Sequence, residues 1–482
     1  MKKLSDFFET DKDVFVNDIK INSQEVSKND MFVCVKGVKA DRHDFILDAI
    51  KNGASCIVGS KDITCSVPYI KVDNPDDILV SLCKKNYDFD DSLKIIGVTG
   101  TDGKTTTTTC IQTLIGKDLC GYIGTNGISC KSFSISSNNS TPDPTILYKY
   151  FKKFKDAGCK YVVMEASSEG FFRGRLKDLE FTIGAYTNVT WEHINVHKTF
   201  ENYLDTKVNL VRQTKDKFII NYDEVNHEKF CLKDKTILSY GTDKNCTLYI
   251  KNYHVLDRYT NVTFVYDKKE YTFISPLLGK FNVYNLACSM LVCLSLGLSM
   301  EQLIERCMDI DVSGRMEIID LGQPFKVLVD YAHTPNAIDA VLEFVHTLNI
   351  DKSIVVVGSA GERDVKKRPI MGDEVIKNAS YAIFTADDPR SEDPYVIATQ
   401  MASNIKDKSK YEIETDRSLA IKKAINMAGE NDIVLALGKG NEKCQKLASG
   451  PIYYSDIEEC KKWIKERMQK DNHNWLSFKK IL

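Results

Sequence analysis

The segment from Lys94 to Thr106 combines residue types whose spacing suits phosphate binding. A short β-branched run, Lys94–Thr99, leads into the glycine loop Gly100-Thr101-Asp102-Gly103, and Lys104-Thr105-Thr106 follow. The backbone N–H groups of such a loop can surround phosphates, the lysine adds a positive charge, and the threonine hydroxyl can reach a Mg²⁺ ion. The segment therefore predicts a strand, a phosphate-binding loop and a helix, with a nucleoside triphosphate as substrate.

Two later segments offer metal ligands at predicted strand ends. Glu165 directly follows the apolar run Tyr161–Met164, and a carboxylate at that place can coordinate Mg²⁺. His193 follows a third strand candidate, Phe181–Tyr186, and Lys207 lies further along. Taken alone, Glu165 is equally consistent with a solvated acid at a strand end, and a single histidine is more often structural than a ligand.

Strands that alternate with helical stretches predict an α/β protein of three domains. Residues 1–90 predict a small α/β domain. Residues 91–313 predict a parallel-sheet domain of the P-loop type, whose ligands bind at the carboxyl ends of the strands, with an antiparallel insertion over residues 236–274. Residues 314–482 predict a Rossmann-like domain, in which the apolar stripe from Ile338 to Leu348 faces the core from one helix.

The composition argues against several classes of function. The 482-residue chain has a formal net charge of −2, so we expect no nucleic-acid or anionic-membrane surface. No run approaches the ~18 apolar residues of a membrane span, and Met1–Asp6 contains no apolar signal segment. The 15 scattered cysteines include no Cys-x-x-Cys pair, which predicts free thiols in a reducing compartment. We therefore expect a cytoplasmic protein that acts on small molecules, and we expect it to be a monomer.

Nine motifs occur in the order in which one enzyme family carries them, and together they cover nearly the whole chain. They are Thr99–Thr106, Ser140–Asp143, Met164–Ser168, Thr187-Asn188, Gly279–Asn285, Gly314–Glu317, Asp330–Pro335, Asp387–Arg390 and Gly438–Gly440. Each motif alone is weak, but nine in sequence are specific. The chain resembles the Mur ligases, the ATP-dependent amide ligases of peptidoglycan precursor synthesis, which serves cell-wall growth, cell shape and division. Within that family it is most similar to the MurE branch.

The resemblance implies which residues bind ATP and metal. The ATP-binding residues would be Gly100, Thr101, Asp102, Gly103, Lys104, Thr105, Thr106, Asn282, Asn285, Arg315 and Asp330. The metal ligands for two Mg²⁺ ions would be Thr105, Glu165, His193 and Lys207. The catalytic residues would be Lys104, Glu165, His193 and Lys207. Lys207 matches a lysine that reacts with CO₂ to form N6-carboxylysine, an anion that nearby cations stabilise; without the family match it would be interpreted as an ordinary surface lysine.

The resemblance also implies the substrates. The residues for the UDP-linked substrate would be Ser23, Thr141, Ser168 and Arg175. The residues for the incoming amino acid would be Asp387, Asp388, Arg390, Gly438 and Glu442. The implied reaction joins a diamino acid to UDP-N-acetylmuramoyl-L-alanyl-D-glutamate through an acyl phosphate, and it yields the UDP-linked tripeptide, ADP and phosphate. Positioning and charge neutralisation by Lys104 and the metals would promote phosphoryl transfer.

The identity of the diamino acid depends on two short motifs. Arginine at position 390 and glutamate at position 442 accompany meso-2,6-diaminopimelate in the family, and arginine can bind its distal carboxylate with two hydrogen bonds. We therefore favour diaminopimelate over L-lysine. Asp388 stands where asparagine is usual and Asn441 where histidine is usual, while Glu169 replaces a histidine and Glu192 an aspartate.

Two other interpretations stay open at this point. A folylpolyglutamate-synthase-like ligase shares the ATP domain but lacks the uridine-binding first domain, which residues 1–90 predict. A catalytically silent nucleotide-binding scaffold would not need the intact set of Lys104, Glu165 and Lys207.

Overall fold

The structure is a computed structural model that describes residues 1–37, 40–137, 139–256 and 258–479. The chain forms two compact units. The first unit comprises Met1–Thr99, Ile115–Gly184 and Asn209–Lys217, and the second comprises Gly100–Leu114, Ala185–Val208 and Phe218–Leu482.

Short strands and two helices make up the first 99 residues. The strands are β1 (Lys2–Lys3), β2 (Phe15–Val16), β3 (Ile19–Lys20), β4 (Asp30–Val33), β5 (Ala54–Gly59), β6 (Tyr69–Lys71) and β7 (Lys94–Thr99). The helices are α1 (Ile46–Lys51) and α2 (Pro75–Asn86).

The middle of the chain mixes longer strands with helices. Its strands are β8 (Cys120–Gly124), β9 (Gly127–Cys130), β10 (Phe133–Ile135), β11 (Tyr161–Glu165), β12 (Phe181–Tyr186), β13 (Thr214–Asn221), β14 (Thr236–Gly241), β15 (Leu248–Val255), β16 (Thr260–Tyr266) and β17 (Lys269–Ser275). Its helices are α3 (Lys104–Ile115), α4 (Pro144–Asp156), α5 (Ser168–Phe172), α6 (Ile194–His197), α7 (Phe200–Arg212), α8 (Lys280–Ser295) and α9 (Met300–Cys307).

The last third alternates strands and helices. Its strands are β18 (Glu317–Ile318), β19 (Lys326–Asp330), β20 (Ser353–Ser359), β21 (Tyr381–Ala386), β22 (Tyr411–Ile413), β23 (Ile433–Leu437), β24 (Cys444–Leu447) and β25 (Gly450–Tyr453). Its helices are α10 (Pro335–His346), α11 (Lys367–Asn378), α12 (Pro394–Met401), α13 (Arg417–Met427) and α14 (Asp456–Lys479). Every helix in the described ranges is too short or too polar to cross a bilayer.

The first unit contains one parallel group of strands and one mixed group, in which β8, β9 and β10 pair antiparallel. Strands β3, β4, β5 and β6 form a parallel sheet in that order. A second group has the order β10-β9-β8-β11-β7, in which β11 lies parallel to both β7 and β8. Glu165 is paired with Val98, so its carboxylate stands at the carboxyl end of β11, as predicted.

The second unit contains a doubly wound sheet with the order β18-β19-β23-β20-β21-β22. All its neighbours are parallel except the short edge strand β18. Alternate residues of β20 pack to opposite sides: Val355 joins a core with α10, α11 and α12, and Val356 joins a core with α13 and α14. The predicted stripe is confirmed, since Ile338 and Val345 are buried on α10, although Leu348 lies just beyond the helix.

The predicted antiparallel segment is confirmed for β15, β16 and β17. Strand β14, however, pairs in parallel with β15, through Tyr240 with Leu248 and Gly241 with Tyr249. Only the last two residues of β14 pair with the first two of β15. After the short loop between them, the chain therefore runs on in the same direction. A pattern of apolar residues does not encode this direction.

A fully buried ion pair joins α13 to α14. The Nε and Nη2 groups of Arg417 donate to the two carboxylate oxygens of Asp456 at 2.8 and 2.6 Å, and both side chains are 0% exposed. Nη2 also donates to the Leu437 carbonyl at the end of β23. The pair therefore fixes both helices against the sheet.

Replacing Asp456 with asparagine is expected to destabilise this sheet by about 3–5 kcal/mol, because the Arg417 cation would stay buried without its anion. Urea unfolding followed by tryptophan fluorescence, to which Trp463 on α14 contributes, would measure the loss. The matched change Asp156→Asn removes an exposed ion pair with Lys152 and should leave the transition in place. A wild-type transition for Asp456→Asn would contradict this role.

Candidate active site

The predicted phosphate loop is built in the second unit, between β7 and α3. A side chain at Gly100 would collide with the Thr187 hydroxyl, and one at Gly103, whose φ is +83°, would collide with the Asn285 amide oxygen. Asn188 holds the loop from the other side, because its Oδ1 accepts from Asp102 N at 2.9 Å and its Nδ2 donates to Asp102 O at 3.1 Å. The glycines are therefore required by close packing.

Lys104 lies over this loop. Its Nζ donates to the carbonyls of Gly100 at 2.9 Å and Thr101 at 2.7 Å. Lys104 is also the first residue of α3, where the positive end of the helix dipole adds to its charge. The loop therefore presents a concentrated positive potential, which suits phosphate groups.

Lys207 and His193 lie beside the same loop. The Lys207 Nζ is buried, donates to the Gly100 carbonyl at 2.6 Å, and lies 4.5 Å from the centre of the Tyr203 ring. Burial and the Lys104 ammonium lower the pKa of Lys207 well below its ordinary value. Burial and the ammonium groups of Lys207 and Lys104 lower the pKa of His193 to about 2, which keeps its imidazole neutral. Both shifts favour the uncharged form of the side-chain nitrogen over the charged form.

Arg315 joins the loop to the last third of the chain. Its Nη2 donates to the Thr105 hydroxyl at 3.4 Å, and its guanidinium lies 4.3 Å from the centre of the Tyr331 ring. Asp330, at the end of β19, accepts from the backbone N–H groups of Met316 and Ala332 at 2.7 Å each. Asp330 therefore fixes the turn that carries Arg315.

A cavity of roughly 540 Å³ opens beside this loop, within the second unit. The predicted nucleotide residues in its wall are Asp102, Gly103, Thr106, Asn285, Arg315 and Asp330. Its apolar wall, which the sequence did not indicate, includes Val255, Phe281, Tyr331, Ala337, Ala340 and Phe344. A wall that combines polar groups suited to phosphates with apolar side chains suited to a flat ring offers partners for both halves of a nucleotide.

Asn282 does not contribute to the wall of that cavity. It is buried in the first turn of α8, donates to the Leu278 carbonyl at 2.8 Å, and accepts from the Asn285 amide at 3.0 Å. Asn282 therefore orients Asn285, which contacts the loop.

Glu165 and three of the predicted acyl-substrate residues lie in the first unit. The Glu165 carboxylate accepts from the backbone N and the hydroxyl of Thr125 at 2.7 and 3.1 Å. The Thr141 hydroxyl donates to the Glu165 carbonyl at 2.8 Å, and Arg175 donates from Nη1 to the Thr141 carbonyl at 3.0 Å. Ser168 is buried at the start of α5. These residues form one cluster at the end of β11.

Ser23 lies in a different part of the first unit. It begins a short 3₁₀ helix, is buried, and its carbonyl accepts from the Asn52 side chain at 2.9 Å. Its predicted role at the uridine end of the substrate stays a prediction.

Three residues predicted to bind the incoming amino acid surround Lys439 in the second unit. Lys439 was not itself predicted as a site residue. The Lys439 Nζ is 2.9 Å from Asp388, 2.8 Å from Glu442 and 3.6 Å from Asp387. The sequence feature that could have identified Lys439 is its position inside the motif Gly438–Gly440. Three carboxylates therefore surround one buried ammonium, and Lys446 lies 3.6 Å from Asp388 at the edge of the group.

Arg390 contacts backbone groups of two other segments, at Gly361 and at Lys446. Its Nη1 donates to the Gly361 carbonyl at 2.5 Å, its backbone N donates to Lys446 O at 2.8 Å, and its φ is +53°. The structure thus brings Asp387, Asp388 and Glu442 together and places the Arg390 guanidinium on a backbone carbonyl.

Known protein families match the chain over most of its length. The matching family models are the Mur ligase family, catalytic domain (residues 16–87), the Mur ligase middle domain (residues 98–293) and the Mur ligase, glutamate ligase domain (residues 314–440). The UDP-N-acetylmuramoyl-L-alanyl-D-glutamate–2,6-diaminopimelate ligase of Fusobacterium nucleatum is 34% identical over 467 residues, which are 95% of each chain. The protein of the same name from Aquifex aeolicus is 35% identical over 452 residues, 92% of each chain.

Solved structures agree with these matches. A 2,6-diaminopimelate ligase of the same name has a TM-score of 0.66 and 25% identity, with 97% of this chain and 99% of that chain covered. The MurF ligase of Thermotoga maritima, solved with ADP, shares the fold with a TM-score of 0.69 at 20% identity, with 95% of this chain and 100% of that chain covered. On the identity and coverage of its curated relatives, this chain belongs to the Mur ligase family.

Proposed function

We propose that this protein is an ATP-dependent ligase that adds a diamino acid to UDP-N-acetylmuramoyl-L-alanyl-D-glutamate in peptidoglycan precursor synthesis. The observation that carries this proposal is the cavity of the second unit, whose wall combines Asp102 and Gly103 of the glycine loop and Arg315 with apolar side chains. Lys104 lies on the carbonyls of the same loop. The names of the relatives support the substrates. The chemistry is the activation of a poorly electrophilic carboxylate by phosphorylation.

In the proposed reaction, a carboxylate oxygen of the acyl substrate attacks the γ-phosphorus of ATP and ADP leaves. The amine of the second substrate then attacks the acyl carbon, loses a proton, and phosphate departs with the oxygen that bridged carbon and phosphorus. Lys104, at the start of α3, would neutralise charge on the transferring phosphoryl group.

We propose Mg²⁺ as the metal, with Thr105, Glu165, His193 and Lys207 as the residues that would hold two ions. The donor set fits in part as it stands, because the Thr105 hydroxyl and the Glu165 carboxylate offer oxygen and His193 a neutral nitrogen. Lys207 fits only after modification, since an ammonium group repels a cation. When bound, the metal would offset the charge of the phosphates.

Lys207 has the environment that carbamylation requires. A neutral amine attacks CO₂, a nitrogen–carbon bond forms, and one proton leaves, which gives a carbamate anion. The buried position of Lys207 beside the Lys104 cation favours both the neutral amine and the later anion. We therefore propose N6-carboxylysine at this position.

We propose that the cluster of Thr141, Ser168 and Arg175 binds the acyl substrate and that Ser23 lies by its uridine end. We also propose three domains: residues 1–90 bind the UDP-linked substrate, residues 91–313 bind ATP, and residues 314–482 bind the amino acid. We further propose that the protein is a monomer in the cytoplasm.

A phosphate-release assay tests the proposal directly. It would combine ATP, Mg²⁺ and the UDP-linked dipeptide with diaminopimelate, L-lysine, D-lysine or ornithine in separate reactions. We expect release that requires both the dipeptide and an amino acid, with diaminopimelate preferred. Release with folate and glutamate in their place would favour the folylpolyglutamate-synthase-like alternative.

Arg390→Ala is expected to raise the apparent KM for diaminopimelate by roughly 5- to 150-fold, the equivalent of about 1–3 kcal/mol for charged hydrogen bonds. The expected effect assumes that Arg390 exchanges the Gly361 carbonyl for the substrate carboxylate. Arg390→Lys should be intermediate, because lysine lacks the two-pronged geometry. Equal KM values for Arg390→Ala and the wild type would rule out this role.

A further inference from the structure

Lys367 connects two loops of the second unit that both border the phosphate loop. Its Nζ donates to Glu192 Oε1 at 3.3 Å and to the His333 carbonyl at 3.1 Å. The side chains of Lys367 and Glu192 are each only 11% exposed. A single ammonium group therefore ties residue 192 to residue 333 in a poorly hydrated setting.

Each of these loops carries a residue of the proposed nucleotide site. Glu192 directly precedes His193, whose backbone is left-handed (φ +57°) and which caps the start of α6. His333 follows Asp330 and Tyr331 in the loop between β19 and α10, and its Nδ1 hydrogen-bonds the Tyr331 carbonyl at 2.8 Å. Lys367 thus links the loop of a metal-ligand candidate to the loop that supports Arg315.

Stability alone does not explain this arrangement. Lys367 is the first residue of α11, where a cation opposes the helix dipole. A buried ion pair is also, on average, no more stabilising than apolar residues of the same size. In addition, Lys367 lies close enough to His193 for its charge to lower the pKa of that imidazole, in the same direction as Lys104.

We propose that Lys367 is a positioning residue that, through Glu192 and the His333 carbonyl, holds the His193 loop and the Asp330 loop in the arrangement that phosphoryl transfer requires. The inference rests on the proposed ligase function. Lys367 touches neither ATP nor the acyl substrate in this account, so its loss should slow catalysis more than it weakens ATP binding.

The test compares Lys367→Met, Glu192→Gln and Lys367→Arg with the wild type, and Lys366→Ala serves as the matched control because Lys366 is exposed and adjacent. We expect Lys367→Met and Glu192→Gln each to lower kcat for phosphate release at least tenfold, with the KM for ATP changed less than threefold. The double variant should be no slower than the slower single variant, because the two residues act as one unit. Lys367→Arg should keep most of the activity.

Hydrogen exchange provides a readout that does not depend on turnover. Peptides that cover residues 189–197 should exchange faster in Lys367→Met and in Glu192→Gln than in the wild type or Lys366→Ala. If both variants keep the wild-type kcat, or if these peptides exchange at the wild-type rate in both variants, the inference about Lys367 is wrong. The ligase function would still hold in that case, provided that the wild type releases phosphate. A wild type that releases no phosphate would instead contradict the proposed ligase function. Even then, the hydrogen-exchange rates would show whether Lys367 holds the His193 loop.

Discussion

Lys104→Ala is expected to lower ATP-dependent phosphate release by on the order of 100- to 1,000-fold, the usual effect of removing a group that stabilises transition-state charge. The Lys104 ammonium lies on the carbonyls of Gly100 and Thr101, at the start of α3. We propose that the phosphates bind at this loop. Alanine keeps the helix but removes the charge. Phosphate release at saturating substrates measures the effect.

The control for this variant is Lys117→Ala, since Lys117 is exposed beyond the end of α3. It should behave as the wild type. If Lys104→Ala binds ATP as the wild type does but has a greatly reduced kcat, the Lys104 charge stabilises mainly the transition state. If both ATP binding and kcat fall, the charge also stabilises bound ATP in the ground state. Full activity of Lys104→Ala would contradict the assignment of the phosphate loop.

Lys207→Ala is expected to be inactive in the same assay, and short carboxylates such as formate or acetate are expected to restore much of the activity. The alanine variant leaves an opening beside the Gly100 carbonyl and the Tyr203 ring, where the Lys207 side chain is now buried. A small carboxylate can occupy it and supply the anion that the carbamate would supply. Titration of the variant with formate, acetate and propionate measures the rescue.

The sign of the rescuing charge distinguishes two roles of Lys207. Rescue by carboxylates supports an anionic carbamate, while rescue by short alkylamines would show that the ammonium form is needed. A fully active Lys207→Ala protein would exclude both roles. Mass spectrometry is a poorer test, because a carbamate loses CO₂ in acid.

Local patterns predicted much of this fold. The β-branched run before Gly100 marked β7, and the apolar stripe from Ile338 marked the buried face of α10. Such signals depend on residues close in the sequence. The turn chemistry of Gly103, with its positive φ, is equally local. The direction of β14 was missed because pairing depends on a partner strand.

The candidate site was predicted less completely, because several of its parts depend on distant contacts. Lys439 pairs with Asp388 across 51 positions of the chain, and Lys367 pairs with Glu192 across 175. The apolar wall of the cavity comes from side chains such as Phe344 that periodicity assigns only to a helix face. No local pattern reports which distant residue will meet a given charge.

The central claim is that the protein converts a carboxylate into an acyl phosphate with the γ-phosphoryl group of ATP. The most direct test supplies the UDP-linked dipeptide with ¹⁸O in the reacting carboxylate and analyses the released phosphate by mass spectrometry. We predict one ¹⁸O atom in each phosphate, because the bridging oxygen leaves with phosphorus when the amine attacks carbon. Phosphate without the label, released at the same rate as the amide forms, would contradict the account.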